Sequence, residues 1–324
     1  MRILTNFLDA PGTFILSNGE HVEVTKAESI GQLRKALRRS DLLIIDCRGL
    51  VIYKLAALLF LPWNRTTLVA VDIVLRKPLT ARHKATALIK RHLLKRVDHF
   101  LHYFRDLTGY SSFFGVSESR SSYVPFKSNL YGEEIPANQF SEDYIFAMGL
   151  SLRDYDTFIR AIAGLPYPAA IPRHSLMHFE GRPHDFRWQP GNLPPNLQLL
   201  PDGGTQRELI EHLSKARIVV VPIQGHSLCA SGISTYLDAM YLGKSVIITE
   251  GPGASDLLTN QALLVPAHDV AALIFAIKQL WEDNSLREAI ATAGHAYARA
   301  LGNESALLKR IFQRSVDAVA VQQR

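Results

Sequence analysis

Short, nearly continuous apolar runs alternate along this chain with stretches of helical periodicity, the pattern of parallel strands covered on both faces by helices. Arg2 to Phe7 reads as a strand, a loop with Asp9, Pro11 and Gly12 follows, and Ser29 to Arg39 reads as a helix. Asp41 to Asp46 (DLLIID) and Thr67 to Asp72 (TLVAVD) are two further strands that each end in an acid. Parallel strands present the residues at their carboxyl ends to ligands. Asp9, Asp46 and Asp72 are therefore candidate site residues; the plain alternative for each is a helix cap or a turn anchor. Leu50 to Trp63 is the longest apolar run, but it carries Lys54 and stops at Pro62. That is short of the roughly 20 residues a membrane span needs, so it reads as a buried helix, the alternative being an exposed helix that touches a membrane. Ala85, Leu88, Ile89, Leu93, Val97, Phe100, Leu101 and Phe104 recur at helical spacing and predict one long helix whose apolar stripe packs in the core. His99 to Tyr103 (HFLHY) either closes that helix or starts a short strand. Ser122 to Lys127 (SYVPFK) reads as a last strand with Lys127 at its exit, and the Pro-containing text after it as a linker.

The second half is better punctuated. Tyr144 to Met148 (YIFAM) is a strand, followed by Gly149, Arg153 and a helix through Ala163. Gln206 to Lys215 is a helix, Arg217 to Pro222 (RIVVVP) a strand, and Ser231 to Asp256 reads as helix, tight turn, buried strand and glycine loop. Ser231, Gly232 and Ile233 open that helix and offer backbone N–H groups at its positive end, where a diphosphate binds well. Asp238 falls about two turns further in, placed to accept hydrogen bonds from ribose hydroxyls. Glu250, Gly251 and Gly253 form the loop at the carboxyl end of the next strand. Ala262 to Pro266 is one more strand, Asp269 caps a helix through Trp281, and Glu304 to Val321 is a terminal helix.

The text LDAMYLGKSVI, with Asp238 at its acidic position, resembles the LEAMAxGxPVV text of the nucleotide-sugar-binding domain of GT-B glycosyltransferases, closest to glycosyltransferase family 4. The resemblance runs from Tyr144 to Arg299. It implies an α/β, GT-B-like fold of two doubly wound, Rossmann-like domains facing across a cleft: an acceptor-side domain over 1–138, a donor domain over 139–303, and a helix over 304–324 returning to the first domain. It also implies a glycosyltransferase that moves a sugar from a nucleotide-diphosphate donor to a sugar or lipid-linked acceptor, with no metal or other cofactor. Family members place a basic residue after the first strand of this domain to meet the diphosphate, and Arg153 is the nearest match. Lys127 meets donor phosphate or acceptor, Glu250, Gly251 and Gly253 line the donor sugar, and Asp9, Asp46 or Asp72 serves as general base if configuration inverts. The chain departs from the pattern at Ala230, where the family has a first Glu that touches the donor sugar. A nucleotide-sugar epimerase or hydrolase of the same fold, or a non-catalytic binding subunit, are the alternatives.

Composition narrows the remaining choices. The chain has 324 residues, long for one core and comfortable for two. Two cysteines, Cys47 and Cys229, make no disulfide framework, and the first residues lack the shape of a signal peptide; a cytoplasmic protein is expected. The net charge of +6 is concentrated in Arg76 to Arg105, where nine Lys and Arg face Asp98 alone. That basic face suits solvent or an anionic membrane surface, which would put the protein at the inner membrane face. Nucleic acid is disfavoured because no recognition motif or stacking pattern accompanies the charge. Asp154-Tyr155-Asp156 has the form of a metal-binding pair, but acids at a helix start suit capping. His174, His178, Glu180, His184 and Asp185 lie in loop text without a zinc-site spacing.

Overall fold

The computed structural model of the chain describes residues 1–36, 39–47, 49–60, 66–133, 143–173, 193–201 and 205–322. It divides into two compact units, Met1–Phe126 with Glu304–Arg324, and Lys127–Asn303. The expected domain boundary near residue 138 and the cluster from His174 to Asp185 lie outside the described residues.

The first unit is a sheet of β1 (Arg2–Thr5), β2 (Thr13–Ile15), β3 (His21–Lys26), β4 (Leu42–Asp46), β5 (Thr67–Val71), β6 (His99–His102) and β7 (Ser121–Tyr123), in the order β2-β3-β1-β4-β5-β6-β7. All pairs are parallel except β2 with β3. Leu42 to Ile45 and Leu68 to Val71 are buried along their whole length because helices cover both faces. The covering helices are α1 (Ile30–Ala36), α2 (Val51–Leu59), α3 (Ala81–Leu94), α4 (Thr108–Phe114) and, from the far end of the chain, α10 (Glu304–Gln322). In α10, Phe312 meets Phe14 at 5.4 Å between ring centroids, and Arg310 donates to the carbonyls of Pro125 and Phe126 at 3.1 and 3.0 Å. A helix from the end of the sequence thus completes this core.

Four expectations change here. The basic segment is not one helix: α3 stops at Leu94, and Phe100 and Leu101 are buried in β6. An ion pair between Arg96 and Asp98 at 2.8 Å, with Arg96 also donating to the Leu59 and Thr66 carbonyls, fixes the break. The predicted apolar stripe is also misplaced. Ala87 and Leu94 face the core, whereas Leu88 and Ile89 are 67% and 64% exposed. Finally, β7 ends at Tyr123, so Lys127 is not at a strand exit but in the second unit. The β2–β3 hairpin, which is antiparallel and short, falls where the sequence suggested only loop.

The second unit is all parallel: β8 (Tyr144–Ala147), β9 (Ala169–Pro172), β10 (Leu197–Leu200), β11 (Ala216–Val221), β12 (Ser245–Thr249) and β13 (Leu263–Val265), in the order β10-β9-β8-β11-β12-β13. The crossovers use α5 (Tyr155–Ala163), α6 (Gln206–Lys215) and α7 (Ile233–Tyr241); α8 (Val270–Glu282) follows the last strand and packs against α5 and the sheet, and α9 (Asn284–Ala300) packs against α7. Helix starts follow side-chain chemistry: Asp154, Thr205, Asp269 and Asp283 each accept a hydrogen bond from the backbone three residues on. The chain leaves β8 toward β9 and leaves β11 toward β12. The sheet order therefore reverses between β8 and β11, the place where open parallel sheets bind ligands.

Candidate functional site

Two loops meet at that reversal. After β8 the chain turns at Gly149, whose φ of 108° is closed to most side chains. A Cβ at Gly149 would collide with the guanidinium of Arg153, which lies flat on this turn. Arg153 donates to the Met148 carbonyl at 2.9 Å, to the Ser151 carbonyl at 2.8 Å and to Thr235 Oγ1, in the first turn of α7, at 3.0 Å. It stands just before Asp154, the cap of α5, ahead of the helix as the sequence placed it. Burial pulls its pKa below the ordinary guanidinium value, partly offset by Tyr155, and no carboxylate among the described residues pairs with it.

The second loop leads from β11 into α7. Gly232 is the N-cap with a left-handed φ of 86°, and a Cβ there would lie 2.7 Å from Val221 Cγ1. Its side chain can offer no cap, so the helix end is left with open amides. They are not quite the expected ones. Ser231 N donates to Cys229 O at 2.6 Å and Ile233 N to Ala230 O at 3.2 Å, as turn bonds. Gly232 N, Ser234 N and Thr235 N carry no such bond among the described residues. The Ser227 and Ser231 hydroxyls pair at 2.8 Å beside this turn. A partly buried cation and the positive end of a helix thus lie side by side, joined through Thr235 Oγ1, an arrangement that an anion stabilises.

Asp238 has a different partner from the one its spacing suggested. It is 4% exposed, and its carboxylate accepts from Ser128 Oγ at 3.1 Å, Asn129 N at 2.8 Å and Asn129 Nδ2 at 3.1 Å. Burial raises its pKa, and these three bonds with the Lys127 charge pull it back. In this arrangement Asp238 anchors the segment 127–130. Lys127 is held alongside, with its Nζ donating to Asn129 Oδ1 at 2.7 Å. Tyr241, one turn on, fixes Gly132 N through its hydroxyl at 3.2 Å.

The loop after β12 is equally committed. Gly251 N donates to Ser255 Oγ at 3.0 Å and Gly253 N to Asp256 Oδ1 at 2.6 Å, so neither glycine amide is open to a ligand. A Cβ on Gly253 would strike Ala230, and Tyr236 OH donates to Gly253 O at 2.8 Å. Ala230, standing where a longer acid is expected, is thereby the residue that lets this loop close on the start of α7. Glu250 is exposed at the strand end.

In the first unit the sheet order reverses between β1 and β4. Asn6 bridges that point: its Nδ2 donates to Asp46 O at 2.9 Å and its Oδ1 accepts from Asp46 N at 2.8 Å. Asp72, after β5, has a left-handed φ of 51°, an uncommon conformation for a residue with a Cβ. Burial raises the pKa of Cys47, and Asp46 and then Asp72 add to the shift. Tyr103, after β6, is raised by burial first and then by Asp72 and Asp46. Asp46, Asp72, Cys47 and Tyr103 therefore form one cluster at the strand ends. Asp9 is exposed on the turn after β1 and lies outside it. Asn6, Thr235 and Tyr103 were missed from sequence because each is an ordinary residue until the strand order places it.

Residues 182–283 match the family model of glycosyl transferases group 1. No curated protein sequence matches the chain. Among solved structures, sucrose-phosphate synthase from Thermosynechococcus elongatus is similar at 14% identity and a TM-score of 0.65, over 99% of this chain and 89% of that one. Anabaena Alr3699/HepE, solved with UDP and glucose, is similar at 14% identity and 0.64, over 92% and 86%. WaaG, a glycosyltransferase involved in lipopolysaccharide biosynthesis, is similar at 13% identity and 0.59, over 96% and 98%. The chain has the GT-B fold, built from two Rossmann-like units.

Proposed function

We propose that this chain is a glycosyltransferase that moves a sugar from a nucleotide-diphosphate donor to a sugar acceptor. The observation that carries the reading is Arg153, a partly buried cation without a carboxylate partner among the described residues, set against the open amides of α7 at the reversal of the second sheet. The group 1 family match and the GT-B fold support it, as does the UDP found in a structural relative. In the transfer step, the bond between the anomeric carbon and the diphosphate breaks and negative charge grows on the leaving oxygen. Arg153 and the amides of Gly232, Ser234 and Thr235 are already aimed at that charge and need no reorganisation, which is how fixed dipoles lower such a barrier. They take the part a divalent cation takes in other folds. Glu250 faces the donor sugar, and Lys127, held by Asn129 and Asp238, faces the donor phosphates. Asp46 or Asp72 takes the proton of the acceptor hydroxyl if configuration inverts.

The test is a calorimetric titration with UDP, GDP and ADP and their glucose conjugates. One nucleoside diphosphate is expected to bind, and Arg153→Met to weaken it by about 10- to 100-fold, the scale of lost hydrogen bonds to a charged group. Absence of binding by all of them, or an Arg153→Met protein that binds like wild type, removes the proposal.

The acceptor in this reading is lipid-linked or a growing polysaccharide, met at the inner face of a membrane through α3. No helix among the described residues is long and apolar enough to cross a bilayer. On α3, exposed Arg82, Lys84 and Arg91 accompany exposed Leu88 and Ile89, the combination that binds an anionic interface. Wild type should sediment with phosphatidylglycerol vesicles at low salt, and Lys84→Glu with Arg91→Glu should release it. Wild type left in the supernatant at low salt ends this part of the reading.

A further inference from the structure

Three loops at the carboxyl ends of β8, β11 and β13 are stitched together beside the anion-binding position. Asp154 N donates to Pro222 O at 3.0 Å and Gln224 N to Leu152 O at 2.9 Å, so the first two loops run against each other through the Arg153 to Ile223 bridge. The third loop contributes His268. Its Nδ1 lies 2.7 Å from Asp154 Oδ2, and its Nε2 lies 3.3 Å from Gly225 N. A backbone N–H can only donate, so Nε2 is the unprotonated nitrogen and the ring proton sits on Nδ1, pointing at Asp154. Asp154 is 3% exposed and accepts from Thr157 N and Thr157 Oγ1 as well, so it is a fixed post.

Packing does not account for this histidine. Its side chain is 55% exposed, and its φ of 62° is left-handed, a conformation a β-carbon resists. Gly225 is shaped to receive it: a Cβ there would lie 3.0 Å from Ala267 Cβ and 3.2 Å from His268 Nε2. An exposed ring, held in a strained conformation and touching one buried carboxylate and one backbone amide, is acting as a strut.

We propose that His268 is a positioning residue for the donor site: its neutral ring ties the β11–α7 loop to Asp154 and so holds Gly232 and the α7 amides against the neighbouring Arg153. The inference rests on the donor-site reading above and adds to it a residue that touches no substrate. The two ring nitrogens can be tested separately. His268→Asn places an amide where Nδ1 stood and suits the left-handed backbone, keeping the Asp154 contact and losing Gly225. His268→Gln reaches the position of Nε2, keeping an acceptor for Gly225 N and losing Asp154.

The measurement is the dissociation constant of UDP, GDP or ADP, whichever binds most tightly, on folded protein checked by thermal midpoint. Both variants are expected to weaken binding about 5- to 20-fold. In an Arg153→Met background neither should weaken it further, because the strut acts through that residue's setting. Binding by His268→Asn and His268→Gln equal to wild type, while Arg153→Met loses it, overturns the proposal and leaves the donor site standing. A full additive loss in the Arg153→Met background also overturns it. Arg153→Met binding like wild type instead removes the donor site itself. Should either His268 variant fail to fold, Gly225→Ala tests the same contact from the other side, with the same weakening expected and unchanged binding again overturning the proposal.

Discussion

The two units share one architecture and treat charge in opposite ways at the points where their sheets reverse. In the second unit, the buried carboxylates Asp154 and Asp238 are each held by protein donors, while the cation Arg153 has no carboxylate partner among the described residues and lies beside open amides. In the first unit, Asp46, Asp72, Cys47 and Tyr103 crowd together, and burial with mutual repulsion pushes the thiol and the phenol toward their neutral forms. On β6, His99 and His102 are buried, and burial lowers the pKa of both. The same fold thus leaves a cation beside open amides in one unit and gathers acids, a thiol and a phenol in the other. That is the division expected between a diphosphate donor and a hydroxyl acceptor, and it can be attacked from either side.

The largest effect should come from reversing the sign in the second unit. Arg153→Glu puts a carboxylate against the α7 amides, and nucleoside diphosphate binding should fall at least 100-fold, about 3 kcal/mol by the tenfold-per-1.4 rule. Asp46→Asn with Asp72→Asn should leave that binding within about twofold and abolish transfer to the acceptor. Calorimetry and a product assay on the same preparations decide this. A large loss of donor binding in the Asp double variant would break the comparison.

The charge-averse first unit should also be acid-labile. Among the described residues, His102 Nδ1 and Nε2 and His99 Nδ1 have no hydrogen-bond partner. Burial holds His102 at a pKa of about 3 and, with Arg314 and Arg120, His99 at about 4, from an ordinary 6.5. A depressed histidine contributes stability above the unfolded pKa and loses it as pH falls through the folded one, so the loss runs from about 6.5 downward. The scale is on the order of a few kcal/mol. His102→Leu, set among Phe100, Phe104 and Tyr110, should blunt this loss and be neutral or stabilising at neutral pH. Urea midpoints measured from neutral to about pH 5 give the answer; identical slopes in the two proteins would show that the unpartnered ring has no such cost.

Much of this was readable in the sequence where one physical signal decides the outcome. β4, β5, β11 and β12 are continuous apolar runs that only a doubly covered sheet explains, and Asp154 and Asp269 are caps one can see before the helix they start. The basic helix misled because Val97, Phe100 and Leu101 keep helical spacing by coincidence across a break fixed by Arg96 and Asp98. The strands β9 and β10 are four residues each and flanked by prolines, too short to show a period. The placement of Arg153 and Gly232 was legible, because it follows from local turns. It was not legible at Asp238, since its partner Asn129 is 109 residues away.

Asp238 gives the next sharpening. Folding raises its pKa above the ordinary carboxylate value, mainly through burial, so the folded state holds the proton longer. The carboxyl therefore favours folding most below the unfolded pKa, and that contribution is lost as pH rises through the folded one. Asp238→Asn should flatten this part of the stability profile and cost about 1 kcal/mol at neutral pH, one hydrogen bond from Asn129 Nδ2 being mismatched. If the carboxylate is an anchor, nucleotide affinity stays within about threefold; a tenfold drop would return Asp238 to the ribose.

The smallest effect asks why the first unit keeps an acid in a left-handed conformation. Asp72 has a φ of 51°, and a non-glycine residue there carries strain on the order of 1 kcal/mol. Its N–H is already used, donating to Leu101 O at 2.9 Å, so the backbone would hold its course without the side chain. Asp72→Gly should then gain about 0.5 kcal/mol, the relief of strain being partly offset by the greater freedom of glycine in the unfolded chain. Donor binding should not change, and transfer should fall sharply. Stability gained with activity lost marks a residue retained for chemistry against the preference of the fold. A destabilised Asp72→Gly protein with normal transfer would make Asp72 a turn anchor, and the acid of the acceptor side would have to be Asp46.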